Sequence, residues 1–135
     1  EEADVIVMVV DSQIGVQELD VQVSRVLLKT NKPLVLAVNK IDHESREPSV
    51  HEFYQLGISK VIGVSATQGH QIAELLEEVF EDFVWPESSS ETIACPKIAI
   101  IGRANVGKST LLNHFLQVYK NPGRQQDLLF HLSDR

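Results

Sequence analysis

Gly102-Arg103-Ala104-Asn105-Val106-Gly107-Lys108-Ser109 fits the spacing G-x-x-x-x-G-K-[ST]. Its chemistry is anion binding. A multiply charged phosphate needs many donors at short range, and the two glycines let the backbone curl until successive N–H groups converge on one anion. A helix opening at Lys108 adds the partial positive charge of its amino-terminal end. Lys108 would reach the β- and γ-phosphates of a nucleotide, and the Ser109 hydroxyl would ligate Mg2+. The candidate phosphate-binding residues are Gly102, Asn105, Val106, Gly107, Lys108, Ser109 and Thr110. Arg103 could touch phosphate, but reads more readily as facing solvent.

Asn39-Lys40-Ile41-Asp42 supplies a different chemistry. An Asp carboxylate accepts two hydrogen bonds from guanine N1–H and the 2-amino group. Adenine offers neither donor, and a buried carboxylate left unpaired rejects it by factors of about 10⁴ or more. The Lys40 stem can lie along the base plane, and Asn39 can hold the base edge and brace the phosphate loop. Ser65-Ala66 follows a later strand, where the Ala66 backbone N–H could donate to guanine O6. The candidate guanine-binding residues are Asn39, Lys40, Asp42, Ser65 and Ala66. The chain assigns no residue to catalysis.

These residues need elements that bring them to one edge. Val5-Ile6-Val7-Met8-Val9-Val10, ending at Asp11, is a continuous β-branched run of the kind found in buried parallel strands. Leu19, Val23, Val26 and Leu27 recur at helical spacing and predict a helix over 18–30 with these residues inward. It is stopped at Asn31-Lys32-Pro33. A second strand over 34–38 delivers Asn39 to Asp42 at its carboxyl end. A short helix over 48–56, capped by Gly57, precedes a third strand over 61–64. Ile72, Leu75, Leu76, Val79, Phe80 and Phe83 mark an amphipathic helix. Glu74, Glu77, Glu78, Glu81 and Asp82 form its solvated face. Trp85 anchors its end. Residues 86–92 have the composition of a linker. A fourth strand over 97–101 leads into the phosphate loop and a helix from 108 to about 116. Strands alternating with helices predict an α/β fold with a parallel sheet. Ligands of such sheets bind outside the carboxyl ends of the strands, where all three motif segments fall. Residues 117–135 have no period that decides between strand and helical turn for 127–132.

The chain has 135 residues, 43% of them apolar and 23% charged, which suits one globular domain with a real core. A net charge of −7 argues against general nucleic-acid binding and no DNA partner is expected, while RNA contact through a local patch or another part of the protein stays open. No apolar run approaches the roughly 18 residues of a membrane span. The single cysteine, Cys95, allows no internal disulfide and reads as a small buried or half-buried residue of a reducing cytoplasm. The opening Glu1-Glu2-Ala3-Asp4 is acidic and unlike a secretory leader, and reads as entry into the middle of a domain. His43, His51, His70, His114 and His131 share no metal-ligand spacing and are expected at or near the surface.

At the two motifs the chain resembles translation-factor-class GTPases, and more closely a bacterial ribosome-assembly GTPase family with two GTPase domains in tandem. The likeness runs from Glu1 to about Phe115, and includes the strand from Val5 to Asp11, Phe53-Tyr54-Gln55-Leu56-Gly57, Val64-Ser65-Ala66, the acidic stretch from Pro86 to Cys95, and Lys97 to Asn113. The resemblance implies an α/β, P-loop GTPase-type parallel sheet with helices on both faces, incomplete against the family pattern. It implies that 1–85 are the carboxyl-terminal portion of a first GTPase domain, 86–96 a linker and 97–116 the start of a second, with 117–135 unassigned. It also implies GTP or GDP and Mg2+ as ligands, a ribosomal subunit as partner of the longer protein, and a K+ ion at Asn105. Ala104 stands where the family has proline. The chain lacks D-x-x-G and the switch I threonine, so weak binding and little hydrolysis are expected.

The guanine-reading motif precedes the phosphate loop, the reverse of the usual order. The chain is either a stretch across two tandem domains, a circularly permuted GTPase, or an inactive module with the fold and no turnover. In this fold the phosphate-loop strand lies beside the strand formed by Val5 to Val10. Residues 86–96 reach at most roughly 35 Å, enough for a four-stranded sheet carrying both half-sites to close.

Overall fold

The computed structural model describes residues 3–42, 44–81, 97–119 and 129–133. Five parallel strands, β1 (Val5–Asp11), β2 (Leu34–Asn39), β3 (Lys60–Gly63), β4 (Lys97–Gly102) and β5 (Leu129–Ser133), form one sheet in the order β3-β2-β1-β4-β5. Helices α1 (Glu18–Leu28), α2 (Ile72–Glu81) and α3 (Lys108–Tyr119) and a run of 3-10 turns over Glu44–Leu56 complete the described elements.

Strand β1 is buried along its whole length because it has a strand on either side and helices on both faces. Side chains alternate across a strand. Val5, Val7 and Val9 therefore join Val35, Ala37, Ile98 and Ile100 on the face packed by Leu75, Leu76 and Val79 of α2 and by Leu111 and Phe115 of α3. Ile6, Met8 and Val10 join Leu36, Val38, Ala99 and Ile101 on the other face, with Leu27 of α1 and with Phe53, Leu56 and Ile58. The expected pairing of β4 with β1 is present, in register Val5↔Ile98 to Val9↔Gly102. On the other side β1 pairs with β2, ending at Asp11↔Asn39. The register thus aligns Asp11, Asn39 and Gly102 near one edge, the carboxyl ends of the three central strands.

Three expectations change. The inward face of α1 is Asp20, Ser24 and Leu27, whereas Leu19 and Val26 are exposed. Leu19, Val23, Val26 and Leu27 share one arc of the helix, and the buried face is rotated from it towards Asp20, which has the polar partner described below. The helix ends at Leu28, two residues short, where Thr30 N–H and Oγ both donate to Leu27 O and Asn31 turns left-handed at φ 58°. Finally, β5 adds a fifth strand, parallel to β4 from Lys97↔Leu129 to Ile101↔Ser133, in a stretch that the sequence pattern leaves undecided.

On α2, Glu74, Glu77 and Glu81 are exposed, and Lys60 of β3 pairs with Glu81 at 3.1 Å. Among the described residues no helix is long and apolar enough to cross a membrane. Asp82, Phe83, Trp85, Cys95, His43 and 86–92, each given a role above, lie outside the described residues.

Candidate functional site

The phosphate-loop segment leaves β4 at Gly102, turns through Arg103 to Gly107 and enters α3 at Lys108. Its curl requires unusual backbone. Asn105 sits at φ 66° and Gly107 at φ 99°. At Gly107 a Cβ would collide with Asn39 Nδ2, and at Gly102 it would lie 2.6 Å from Val9 O. Both glycines are therefore needed for close backbone approach as well as for curvature. Val106 is buried, Ala104, Asn105 and Ser109 are exposed, and Thr110 is half-buried. Lys108 is mostly buried, and its Nζ donates to Gly102 O across the loop.

Asn39, at the end of β2, joins the two motif regions. Its Nδ2 donates to Val106 O at 2.6 Å, and its Oδ1 accepts from Ala66 N–H at 2.9 Å. One buried amide thus spans residues 27 and 67 positions away. A buried donor or acceptor left unmade costs about 1–3 kcal/mol, so both contacts bind the segments together. The brace on the phosphate loop is as expected. The Ala66 N–H, assigned above to guanine O6, is here engaged by Asn39.

Lys40 adopts φ 69°, and its Nζ pairs with Asp11 Oδ2 at 2.8 Å. Asp11 is held in turn by Gln13 N–H, which donates to Oδ1 at 2.8 Å, and the Lys40 carbonyl accepts from Ser12 Oγ at 3.2 Å. The ammonium is therefore drawn across the strand ends towards β1. Ile41 fills the core while its N–H donates to Val64 O, so Asn39, Lys40 and Asp42 are fixed by an apolar anchor between them. Asp42 Oδ1 accepts from Ser65 Oγ at 2.6 Å. Its other oxygen has no partner among the described residues. The Ser65 loop closes on itself, with Ser65 and His70 exchanging backbone hydrogen bonds at 3.1 Å and Gln68 N–H donating to Ser65 Oγ.

The structure brings together the Asn39–Asp42 segment, Ser65-Ala66 and the phosphate loop at one end of the sheet. Two carboxylates beside them were missed by sequence reading. Asp11 is buried against Lys40. Asp20 is buried against Arg103, whose Nε donates to Asp20 Oδ1 at 2.8 Å. Arg103 does not face solvent as expected. The available signals were Asp11 closing an otherwise apolar strand and Asp20 in the first turn of a helix, and both also suit ordinary caps. Among the described residues no group of three His, Cys, Asp or Glu could cage a metal ion.

Comparison with known proteins agrees with this geometry. Residues 1–84 match the family model "Elongation factor Tu GTP binding domain", and 97–129 match "50S ribosome-binding GTPase". The chain is 57% identical to GTPase Der of Protochlamydia amoebophila over 116 residues, 86% of this chain and 24% of that protein. It is 46% identical to GTPase Der of Clostridium perfringens and 42% to that of Brevibacillus brevis, each over 86% of this chain and 26% of the relative. The chain thus spans about a quarter of the length of these relatives. Among solved structures, YjeQ from Thermotoga maritima superposes with a TM-score of 0.58 at 24% identity, covering 90% of this chain and 39% of that one, which shows a shared fold. The first of the two family models matches more than half of the chain: the chain belongs to the GTPase family of the elongation factor Tu GTP binding domain, and it resembles GTPase Der.

Proposed function

We propose that the chain binds guanine nucleotide in a composite site whose base-reading half comes from β2 and the Ser65 loop and whose phosphate-reading half comes from the loop between β4 and α3. The observation that carries this is the Asn39 bridge, which fixes Val106 O and Ala66 N–H to the same side chain. Asp42 would read guanine N1–H and the 2-amino group, with Ser65 Oγ orienting the carboxylate. Lys40, held by Asp11, would form one wall of the base pocket. Gly102, Asn105, Val106, Gly107, Lys108 and Thr110 would surround the phosphates, with Lys108 exchanging Gly102 O for phosphate oxygens. The exposed Ser109 hydroxyl opens α3 and suits Mg2+, which needs few protein ligands when phosphates supply the rest. Asn105, exposed on the same loop, is the residue for K+.

On this reading, 1–85 are the carboxyl-terminal portion of one GTPase domain and 97–116 the start of another, joined by 86–96, and they contribute complementary halves of one site. Hydrolysis should be weak, since phosphoryl transfer depends on complete positioning and the sequence carries neither D-x-x-G nor a switch I threonine. The description "50S ribosome-binding GTPase" for the model matched by 97–129 supports a large-subunit partner for the longer protein and a cytoplasmic setting. Pelleting the longer protein with isolated 50S subunits checks that part.

A fluorescent GDP titration with Mg2+, competed by unlabelled GDP and ADP, tests the site itself. Saturable binding displaced by GDP and not by ADP is expected. A folded chain that binds neither would overturn the composite site. A circularly permuted GTPase is the second reading, favoured by β5 extending the sheet beyond β4. It predicts turnover of GTP by this chain, which a phosphate-release assay measures.

A further inference from the structure

We infer that Asp20 is a positioning residue for the phosphate loop, acting through Arg103; the inference rests on the composite-site reading for its effect on nucleotide binding. Asp20 lies in the first turn of α1 and is buried on the side facing the sheet. A buried carboxylate is costly unless it is paired and hydrogen-bonded. Capping accounts for one contact only, the Gln17 N–H that donates to Oδ2 at 3.0 Å. The guanidinium of Arg103 accounts for the rest, with Nε donating to Oδ1 at 2.8 Å and Nη2 to Oδ2 at 3.4 Å. A rigid fork on two oxygens fixes direction as well as distance, which a lysine's point charge does not.

Arg103 is the first residue of the loop after Gly102 leaves the sheet, and Val106 is the residue Asn39 holds on the far side. Between these two anchors lie only Ala104 and Asn105, both exposed, with Asn105 in left-handed backbone. The loop is therefore tied at one end to β2 by an amide and at the other to α1 by an ion pair. This also explains why an arginine inside a phosphate loop is turned away from the site: it is an anchor for the backbone, and its charge is already engaged.

The decisive variant is Asp20→Asn. It keeps an oxygen to accept from Gln17 N–H and removes the charge that orients the guanidinium. Arg103→Gln breaks the same pair from the loop side, so a folding defect in one variant does not end the test. The first readout needs no nucleotide: NMR order parameters of amides 103–107. In the wild type these should lie near the rigid value of about 0.85 and in both variants fall towards 0.6 or below. Those of β1 and β2 should hold, while the thermal midpoint falls, more in Arg103→Gln, which leaves the Asp20 carboxylate buried without its cation. The second readout is the split between GDP and guanosine. GDP affinity should drop about tenfold or more, by the size of a charge-assisted contact, while guanosine affinity stays within twofold. Arg103→Lys should recover part of the GDP loss. Unchanged order parameters at 103–107, or a loss spread evenly over the chain, would overturn the proposal. If the wild type binds no GDP, the composite-site reading fails by itself, and the order parameters still decide whether Asp20 positions the loop.

Discussion

A carboxylate that reads a base must present the right lone pairs, and at Asp42 the Ser65 hydroxyl occupies one oxygen and so fixes the other. Asp42→Asn replaces one acceptor by a donor. GDP affinity should fall by about 10- to 100-fold, the range for hydrogen bonds to a charged group. Xanthosine diphosphate, which offers a 2-oxo acceptor where guanine has an amino donor, should gain relative to GDP. Competition titrations with the two nucleotides measure this, and an unchanged preference would remove Asp42 from the site. Lys108→Ala should cost at least about tenfold for GDP and leave guanosine unaffected, because on the proposed reading its ammonium meets only the phosphates of the nucleotide. Both residues stand out in the sequence as candidates, Lys108 by its place after Gly107 and Asp42 by its place three positions after Asn39. Asp11 and Asp20 were not legible. Each is defined by a partner, 29 and 83 positions away respectively, and no local spacing announces such a pair.

An element earns its place here by what it positions, and the clearest case is the loop between β4 and α3. Gly107 has φ 99°, and a side chain there would meet Asn39 Nδ2. Gly107→Ala should therefore cost about 1–3 kcal/mol for the strained backbone and also break the Asn39 brace. Urea denaturation and the GDP titration should both register it. An Ala substitution at Gly57, also at positive φ but ahead of β3 and against only the Leu28 side chain, should leave GDP binding nearly unchanged. Strands β1, β2 and β4 were legible because β-branched runs buried on both faces look alike in any parallel sheet. The face of α1 was not, because Leu19 and Val26 share the helical period of Leu27, while the buried face carries Asp20, whose pairing with Arg103 no local spacing shows. Strand β5 was illegible for a plainer reason. It is an edge strand whose existence depends on β4 offering free backbone groups, and no apolar alternation in 127–132 records that.

At the scale of the molecule the question is whether 3–81 and 97–119 are one cooperative unit. Their interface is large in kind: a full parallel ladder between β1 and β4, and an apolar layer in which Leu75 of α2 and Phe115 of α3 belong to the same cluster. Both side chains are fully buried. Leu75→Ala should cost about 2–5 kcal/mol and Phe115→Ala about 3–5 kcal/mol, the transfer and cavity terms together. If the sheet is one unit, unfolding by urea is a single transition and each substitution lowers that same midpoint, as far-UV circular dichroism and amide hydrogen exchange across β1 and β4 should both show. Two independently folded halves would instead respond separately, with Phe115→Ala leaving the transition of the β1–β3 half where it was. GDP adds an independent check. A ligand gripped by residues from both halves stabilises the whole by about 2.7 kcal/mol at a hundredfold excess over Kd. It should therefore raise the one midpoint in wild type and Leu75→Ala protein alike. A GDP effect confined to one of two transitions would mean that base and phosphate are held by separate bodies, and the Asn39 bridge between them would then carry no binding energy.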